Sequence, residues 1–250
     1  MARFFVTTPL VVETIYELPP EVVRHVQVLR YRQGQELILF NGDGYDYHVR
    51  IEKLERREIS VKILAASQVA NESPLAINLL VTVIANDKMD LLIQKAVELG
   101  VSKITPLFSE RCQRLKSERI TNRMEHWQKI IIAACEQSGR AIIPQLVEPQ
   151  EFNLAILQAS GVVKLILSPH HLSAEYNLSP ETVTSVDLAV GPEGGFSDEE
   201  IKTAQDWGFY SWQLGTRILR AETAVIAGIS ILQARLGDFS NVNNPMIFRS

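Results

Sequence analysis

The sequence predicts an α/β chain in two parts: a small, mostly-β module over residues 1–72, then a larger domain over 73–250 built on a parallel sheet with flanking helices. Up to residue 72, short segments of alternating apolar residues are closed by polar turns. Beyond it, continuous apolar runs alternate with stretches of helical spacing that end in glycine. At 250 residues the chain also has the length for two domains of ordinary size.

In the first part, 3–6 reads as a strand and 20–29 as a helix, with Val22, Val26 and Leu29 on one face. Strand 36–40 enters the turn Asn41-Gly42-Asp43-Gly44, 45–52 returns, 55–58 turns again and 59–64 is a further strand. Short strands closed this way suggest a small barrel. The polar stretch 68–74 reads as a linker. In the second part, 79–85 is apolar enough for a strand buried on both faces. Helix 89–99 follows, with Leu92, Ala96 and Leu99 aligned and Gly100 as its stop, and 101–108 is a strand. Residues 117–138 form a long helix whose buried stripe is Ile120, Met124, Trp127, Ile131 and Ala134. Strands are expected at 162–167 and 188–190. Ser197-Asp198-Glu199-Glu200 is a capping box that opens a helix running to Gly208. Residues 209–214 are the last strand and 222–236 the last helix, stopped by Gly237.

Hydrophobic residues make up 46% and charged residues 22%, a balance that supports a real core. No run approaches the roughly 18 apolar residues of a membrane span, and 1–9 lacks the pattern of a signal peptide. Cys112 and Cys135 are isolated, offering neither a disulfide framework nor a zinc pattern, so a cytoplasmic protein without a metal is expected. The net charge of −4 argues against a nucleic-acid partner until the chain is divided. Residues 109–140 carry +3, while 1–72 carry −1 and 141–250 carry −6. The excess lies at Arg111, Arg114, Lys116, Arg119, Arg123 and Lys129, a patch able to hold phosphates because screening limits distant carboxylates. A solvated helix face reads equally well from composition.

Two segments carry the chemistry. Gly191-Pro192-Glu193-Gly194-Gly195-Phe196 joins a buried strand to a capped helix, the place where open α/β sheets bind ligands. It has neither dinucleotide-fingerprint spacing nor the Gly-Lys-Ser/Thr of a P-loop. Leu214-Gly215-Thr216-Arg217-Ile218-Leu219-Arg220-Ala221-Glu222-Thr223-Ala224 has the same position one strand later. Glu222 and Thr223 fall where a carboxylate and a hydroxyl can cap free helix amides. His170 and His171 follow a strand end, but no third ligand stands at metal spacing.

These two segments, together with Asp87-Lys88-Met89, Gln94-Lys95-Ala96-Val97-Glu98-Leu99-Gly100-Val101, Ile104-Thr105-Pro106-Leu107-Phe108-Ser109-Glu110-Arg111 and Ala134-Cys135-Glu136-Gln137-Ser138-Gly139-Arg140, resemble one family. That family is the small-subunit ribosomal RNA uridine-N3 methyltransferases of the SPOUT superfamily. Arg3-Phe4-Phe5 and His25-Val26-Gln27-Val28-Leu29-Arg30 fit it as well. Members often have Lys-Gly before the Asp-Lys-Met element; this chain has Ala85-Asn86.

The resemblance implies a PUA-like RNA-binding β-barrel over 1–72 and a SPOUT methyltransferase domain with a C-terminal trefoil knot over 73–250. It implies a homodimer that binds S-adenosyl-L-methionine and methylates 16S ribosomal RNA, naked or within the assembled small subunit. The cofactor would be held by Leu167, Ser168, Gly191, Pro192, Glu193, Gly194, Gly195, Phe196, Leu214, Gly215, Ile218, Leu219, Thr223 and Ala224. RNA would be held by Arg3, Arg24, Arg30, Arg111, Arg114, Arg119 and Arg140. Arg220 is the candidate to stabilise negative charge on the uracil oxygens, because a guanidinium fork suits planar acceptors. Glu222 would orient that arginine or accept the N3 proton; Glu193 would serve as a base or hold the glycine loop through backbone amides. The rival readings are a SPOUT ribose 2′-O-methyltransferase, which would use the same pocket, and a non-catalytic ribosome-assembly factor.

Overall fold

The computed structural model describes residues 1–112, 114, 117–168 and 182–240. His170, His171, Lys116 and the tail from 241 lie outside them. The chain divides into two compact units, Met1–Glu72 with Ile132–Ile143, and Ser73–Ile131 with Pro144–Ser250. The return of 132–143 to the first unit has no counterpart in the sequence.

In the first unit, β1 (Arg3–Phe5), β2 (Ile15–Glu17), β3 (Glu36–Phe40), β4 (Tyr45–Leu54) and β5 (Ile59–Gln68) form one mixed sheet in the order β1-β3-β4-β5-β2. Strand β1 runs parallel to β3, and the other neighbours pair antiparallel. Helix α1 (Pro20–Val28) starts on a proline, whose missing N–H costs nothing in a first turn, and buries Val22, Val23 and Val26. These pack with Leu37, Leu39, Val49, Ile51, Val61 and Ile63 in one apolar core.

The 132–143 segment is fastened to this unit by two arginines. Arg3 pairs with Asp46, donates to the carbonyls of Cys135 (2.9 Å) and Arg140 (3.3 Å), and lies over the Phe40 ring. Arg140 is buried and pairs with Glu72 at 2.6 Å. Both guanidinium groups are engaged within the first unit, Arg3 by Asp46 and two carbonyls and buried Arg140 by Glu72, which corrects their reading as RNA contacts.

The second unit is built on parallel strands: β6 (Ala76–Thr82), β7 (Lys103–Phe108), the two-residue β8 (Gln145–Leu146) and β9 (Gln150–Glu151), β10 (Val163–Leu167), β11 (Ser185–Val190) and β12 (Tyr210–Trp212). The order is β12-β10-β11-β6-β7-β8, with β9 also on β7. Helices α2 (Asn86–Glu98), α3 (Ser117–Ser138), α4 (Phe152–Gln158), α5 (Asp198–Asp206) and α6 (Ala221–Leu236) connect them. Strand β6 lies three residues before its expected position. Its register with β11, from Ala76↔Ser185 to Val81↔Val190, sets its ends, and the apolar run continues through the buried loop residues Val83 and Ile84. Short α4 has too few turns for periodicity to reveal it, yet buries Phe152, Ala155 and Ile156. Among the described residues no helix is long and apolar enough to cross a membrane.

Candidate active site

Strand β10 lies between β11 and β12 and parallel to both, so the carboxyl ends of all three meet at one edge of the sheet. From β11 the chain passes through α5 and crosses β10 to reach β12. That crossing brings loop 191–196, the end of β10 at Leu167 and Ser168, and loop 213–220 side by side. They enclose a cavity of ≈ 310 Å³, at the lower end of the roughly 300–1,000 Å³ typical of small-molecule sites. Apolar side chains such as Val190, Phe196, Trp212, Leu214 and Leu219 line it, with exposed backbone from the glycine loop.

Two of the three glycines of loop 191–196 are required by the backbone. Gly195 has φ +68°, a conformation costly for any residue with a Cβ. A Cβ on Gly191 would meet the Phe196 amide nitrogen at 3.1 Å, so only glycine lets the loop fold so tightly on itself. Gly195 N–H donates to Pro192 O at 2.9 Å, and Phe196 is anchored against Phe152 with ring centroids 5.1 Å apart. The capping box then fixes where α5 begins: Glu200 N–H donates to Ser197 Oγ at 3.3 Å, and Ser197 N–H to Glu200 Oε2 at 2.9 Å. The other Glu200 oxygen accepts from Glu110 N–H at 2.8 Å, joining the box to the loop after β7. From that loop Arg111 donates to Gly194 O at 2.9 Å and lines the cavity. Arg111, read from charge as an RNA contact, is therefore a support of the glycine loop.

Of the fourteen residues expected to hold a cofactor, all but Thr223 line the cavity. Thr223 is exposed, since one turn of α6 carries it away from Ala221 and Ala224. Neither Glu222 nor Thr223 caps the helix: the N-cap is Arg220, and it makes no side-chain cap bond. The helix starts at Ala221, so Glu222 and Thr223 lie within its first turn rather than ahead of it. Gly228 brings α6 close under the sheet, since a Cβ there would already touch Leu188 at 3.4 Å.

Arg220 and Glu222 do not line the cavity; they flank Ala221, which does. Arg220 is exposed, while Glu222 Oε2 is buried without a hydrogen-bond partner among the described residues. Glu193 is exposed and accepts from Lys88 Nζ at 2.7 Å and from its own backbone N–H, contacts that hold its carboxyl below the usual carboxylate range. Sequence reasoning missed Val190, Trp212, Gln213, Arg217, Asp198, Ile201 and Ala221 as cavity residues. Val190, Trp212 and Gln213 carried a usable signal, since each stands at the carboxyl end of a neighbouring strand.

Arg24, Arg30 and Arg119 are exposed, and Arg114 is exposed while paired with Glu151 at 2.9 Å. These four remain accessible to a polyanion. Among the described residues no group of three His, Cys, Asp or Glu stands together as metal ligands would.

Two family models match the chain: an RNA methyltransferase domain over residues 71–233 and an RNA methyltransferase PUA domain over 18–64. Ribosomal RNA small subunit methyltransferase E of Buchnera aphidicola (subspecies Schizaphis graminum) is 38% identical over 95% of this chain and 98% of its own. A methyltransferase from Legionella pneumophila, solved in complex with bound S-adenosylmethionine, superposes with a TM-score of 0.90 at 40% identity, covering 95% and 99% of the two chains. Ribosomal RNA small subunit methyltransferase E from Neisseria gonorrhoeae, also bound to S-adenosylmethionine, gives 0.89 at 38%, covering 96% and 99%.

Proposed function

The chain belongs to the family of ribosomal RNA small subunit methyltransferase E, and from that premise we propose that it methylates N3 of a uridine in 16S ribosomal RNA, using S-adenosylmethionine. The observation that carries the reading is the cavity at the meeting of β10, β11 and β12, lined by the glycine loop and by the segment that leads to Arg220 and Glu222. Relatives at 38–40% identity and near-complete coverage were solved with S-adenosylmethionine bound.

The residues fit such a cofactor. A ligand in the cavity meets apolar side chains suited to a nucleoside and, at Gly191–Gly195, backbone approachable because a Cβ is missing. Leu167, Ser168, loop 191–196, Leu214, Gly215, Ile218, Leu219 and Ala224 would hold it. When bound, S-adenosylmethionine supplies a methyl already activated on a sulfonium.

The uridine N3 is a weakly acidic imide, poorly nucleophilic until it loses its proton. Arg220, exposed and next to the cavity-lining Ala221, presents guanidinium N–H groups to the uracil oxygens, where negative charge grows as that proton leaves. Glu222 keeps one buried oxygen free of internal partners. That oxygen is available either to accept the N3 proton or to bond Arg220 as the base enters. Glu193 is engaged by Lys88 and its own backbone, which favours its role as a loop fastener over that of a base.

The RNA itself would be gripped by Arg24, Arg30, Arg114 and Arg119, which are exposed, and the working form would be a cytoplasmic homodimer. Mass spectrometry of ribosomal RNA from cells lacking the protein tests the reading. Loss of one 3-methyluridine, restored by the wild-type chain, is the expected result; loss of a 2′-O-methyl nucleoside, or of none, overturns it.

A further inference from the structure

An ion pair joins one of the cavity's lining residues, Glu193, to the helix after β6. Lys88 lies in the first turn of α2, and its Nζ donates to Glu193 Oε1 at 2.7 Å. Glu193 also accepts from its own backbone N–H, so its carboxylate is held by its loop and by α2 together. The charges of Glu222 and Arg220 both act on the Lys88 ammonium. Helices α2 and α6 pack together, and both start at the carboxyl edge of the parallel sheet. One lysine thus joins the carboxylate of the glycine loop to a helix packed against α6. The Lys88 and Glu193 side chains are 33% and 45% exposed, and an ion pair this wet contributes little to folding.

Building on the methyl-transfer reading above, we propose that Lys88 is a positioning residue for that reaction. Through Glu193 it ties the glycine loop to α2, which packs against α6, the helix whose start carries Arg220 and Glu222. The reaction needs such a tie because the groups facing the cofactor and those facing the base come from different loops, and transfer demands that both be in line at once. Many lining groups hold the cofactor, so losing one fastening of the loop disturbs alignment more than affinity.

The test compares the full-length wild type with Lys88→Met, Lys88→Arg, Glu193→Gln and the Lys88→Met/Glu193→Gln double variant. Lys88→Met is expected to lower kcat for ribosomal RNA methylation roughly tenfold, while the Kd for S-adenosylmethionine by calorimetry moves by less than about threefold. Lys88→Arg restores most of the rate, Glu193→Gln matches Lys88→Met, and the double variant is no slower than either. In the cofactor-free protein, amides 194–196 exchange hydrogen faster in Lys88→Met, with the interiors of α2 and α6 unchanged. An unaltered kcat overturns the proposal, as do multiplicative losses in the double variant or unchanged exchange in the loop. If the wild-type chain methylates no ribosomal RNA, the methyl-transfer reading fails instead, and the exchange measurement still reports whether Lys88 holds the loop.

Discussion

Arg111 donates from Nη1 to the carbonyl of Gly194 at 2.9 Å, so a residue of the loop after β7 shapes the cavity between β11 and β12. Its guanidinium also lies within 3.5 Å of Phe196 O. One cation therefore restrains two carbonyls of the glycine loop. A hydrogen bond from a charged group contributes about 1.5–3 kcal/mol, and this one is partly exposed. Arg111→Ala should weaken S-adenosylmethionine binding roughly tenfold, about 1.4 kcal/mol, measured by calorimetry. Salt dependence of RNA binding should barely change.

Arg220 makes no ion pair among the described residues and does not line the cavity. Arg220→Ala should therefore fold and bind S-adenosylmethionine as the wild type does, yet lose methylation by roughly a hundredfold or more, as removal of one transition-state donor does. A single-turnover assay beside calorimetry checks both halves. Unchanged turnover would remove Arg220 from the site.

Arg3 and Arg140 behave as internal ties. Arg140 is buried and Arg3 half-buried, and each is ion-paired within the first unit. Breaking a buried pair by removing one partner costs about 3–5 kcal/mol. Arg3→Ala and Arg140→Ala should lower thermal stability sharply, read by calorimetric unfolding. Any loss of RNA affinity should follow the unfolded fraction.

Charge reversal at Arg114 and Arg119 should weaken RNA binding and flatten its salt dependence by about one unit of slope for each phosphate no longer neutralised. Arg114 must first leave Glu151, so its share should be the smaller. Filter binding across a salt series separates the two variants.

Burial pushes the Cys135 thiol up to about 11, against a smaller opposing effect of Arg140. The thiolate is the nucleophile, so at pH 8 Cys135 should resist iodoacetamide in the native protein and react on unfolding. Peptide mass spectrometry of alkylated samples reads this directly.

Much of the fold was legible because it rests on local rules. Glycine stops, the Ser197–Glu200 capping box and the buried stripe of α3 are written in neighbouring residues, and α3 lies where its periodicity put it. Features that depend on distant partners were not. Strand β2 has only three residues, and its register on β5 makes it a strand. The first unit's claim on 132–143 depends on Arg3, more than a hundred residues earlier.

The same boundary runs through the site. By itself the sequence singled out 191–196 and 214–224, whose residues supply much of the cavity wall, because glycine and charge at strand ends are local facts. Only the tertiary structure decided that β10 lies between β11 and β12 and that Thr223 turns away. It likewise decided that Arg111 belongs to the cavity while Arg3 and Arg140 are engaged within the first unit. The physical reason is that an arginine's chemistry is identical everywhere, and its role depends on which acceptors the fold brings within hydrogen-bond reach. Carbonyls and carboxylates reached Arg111, Arg3 and Arg140 from segments tens of residues or more away in sequence, and only packing placed them there.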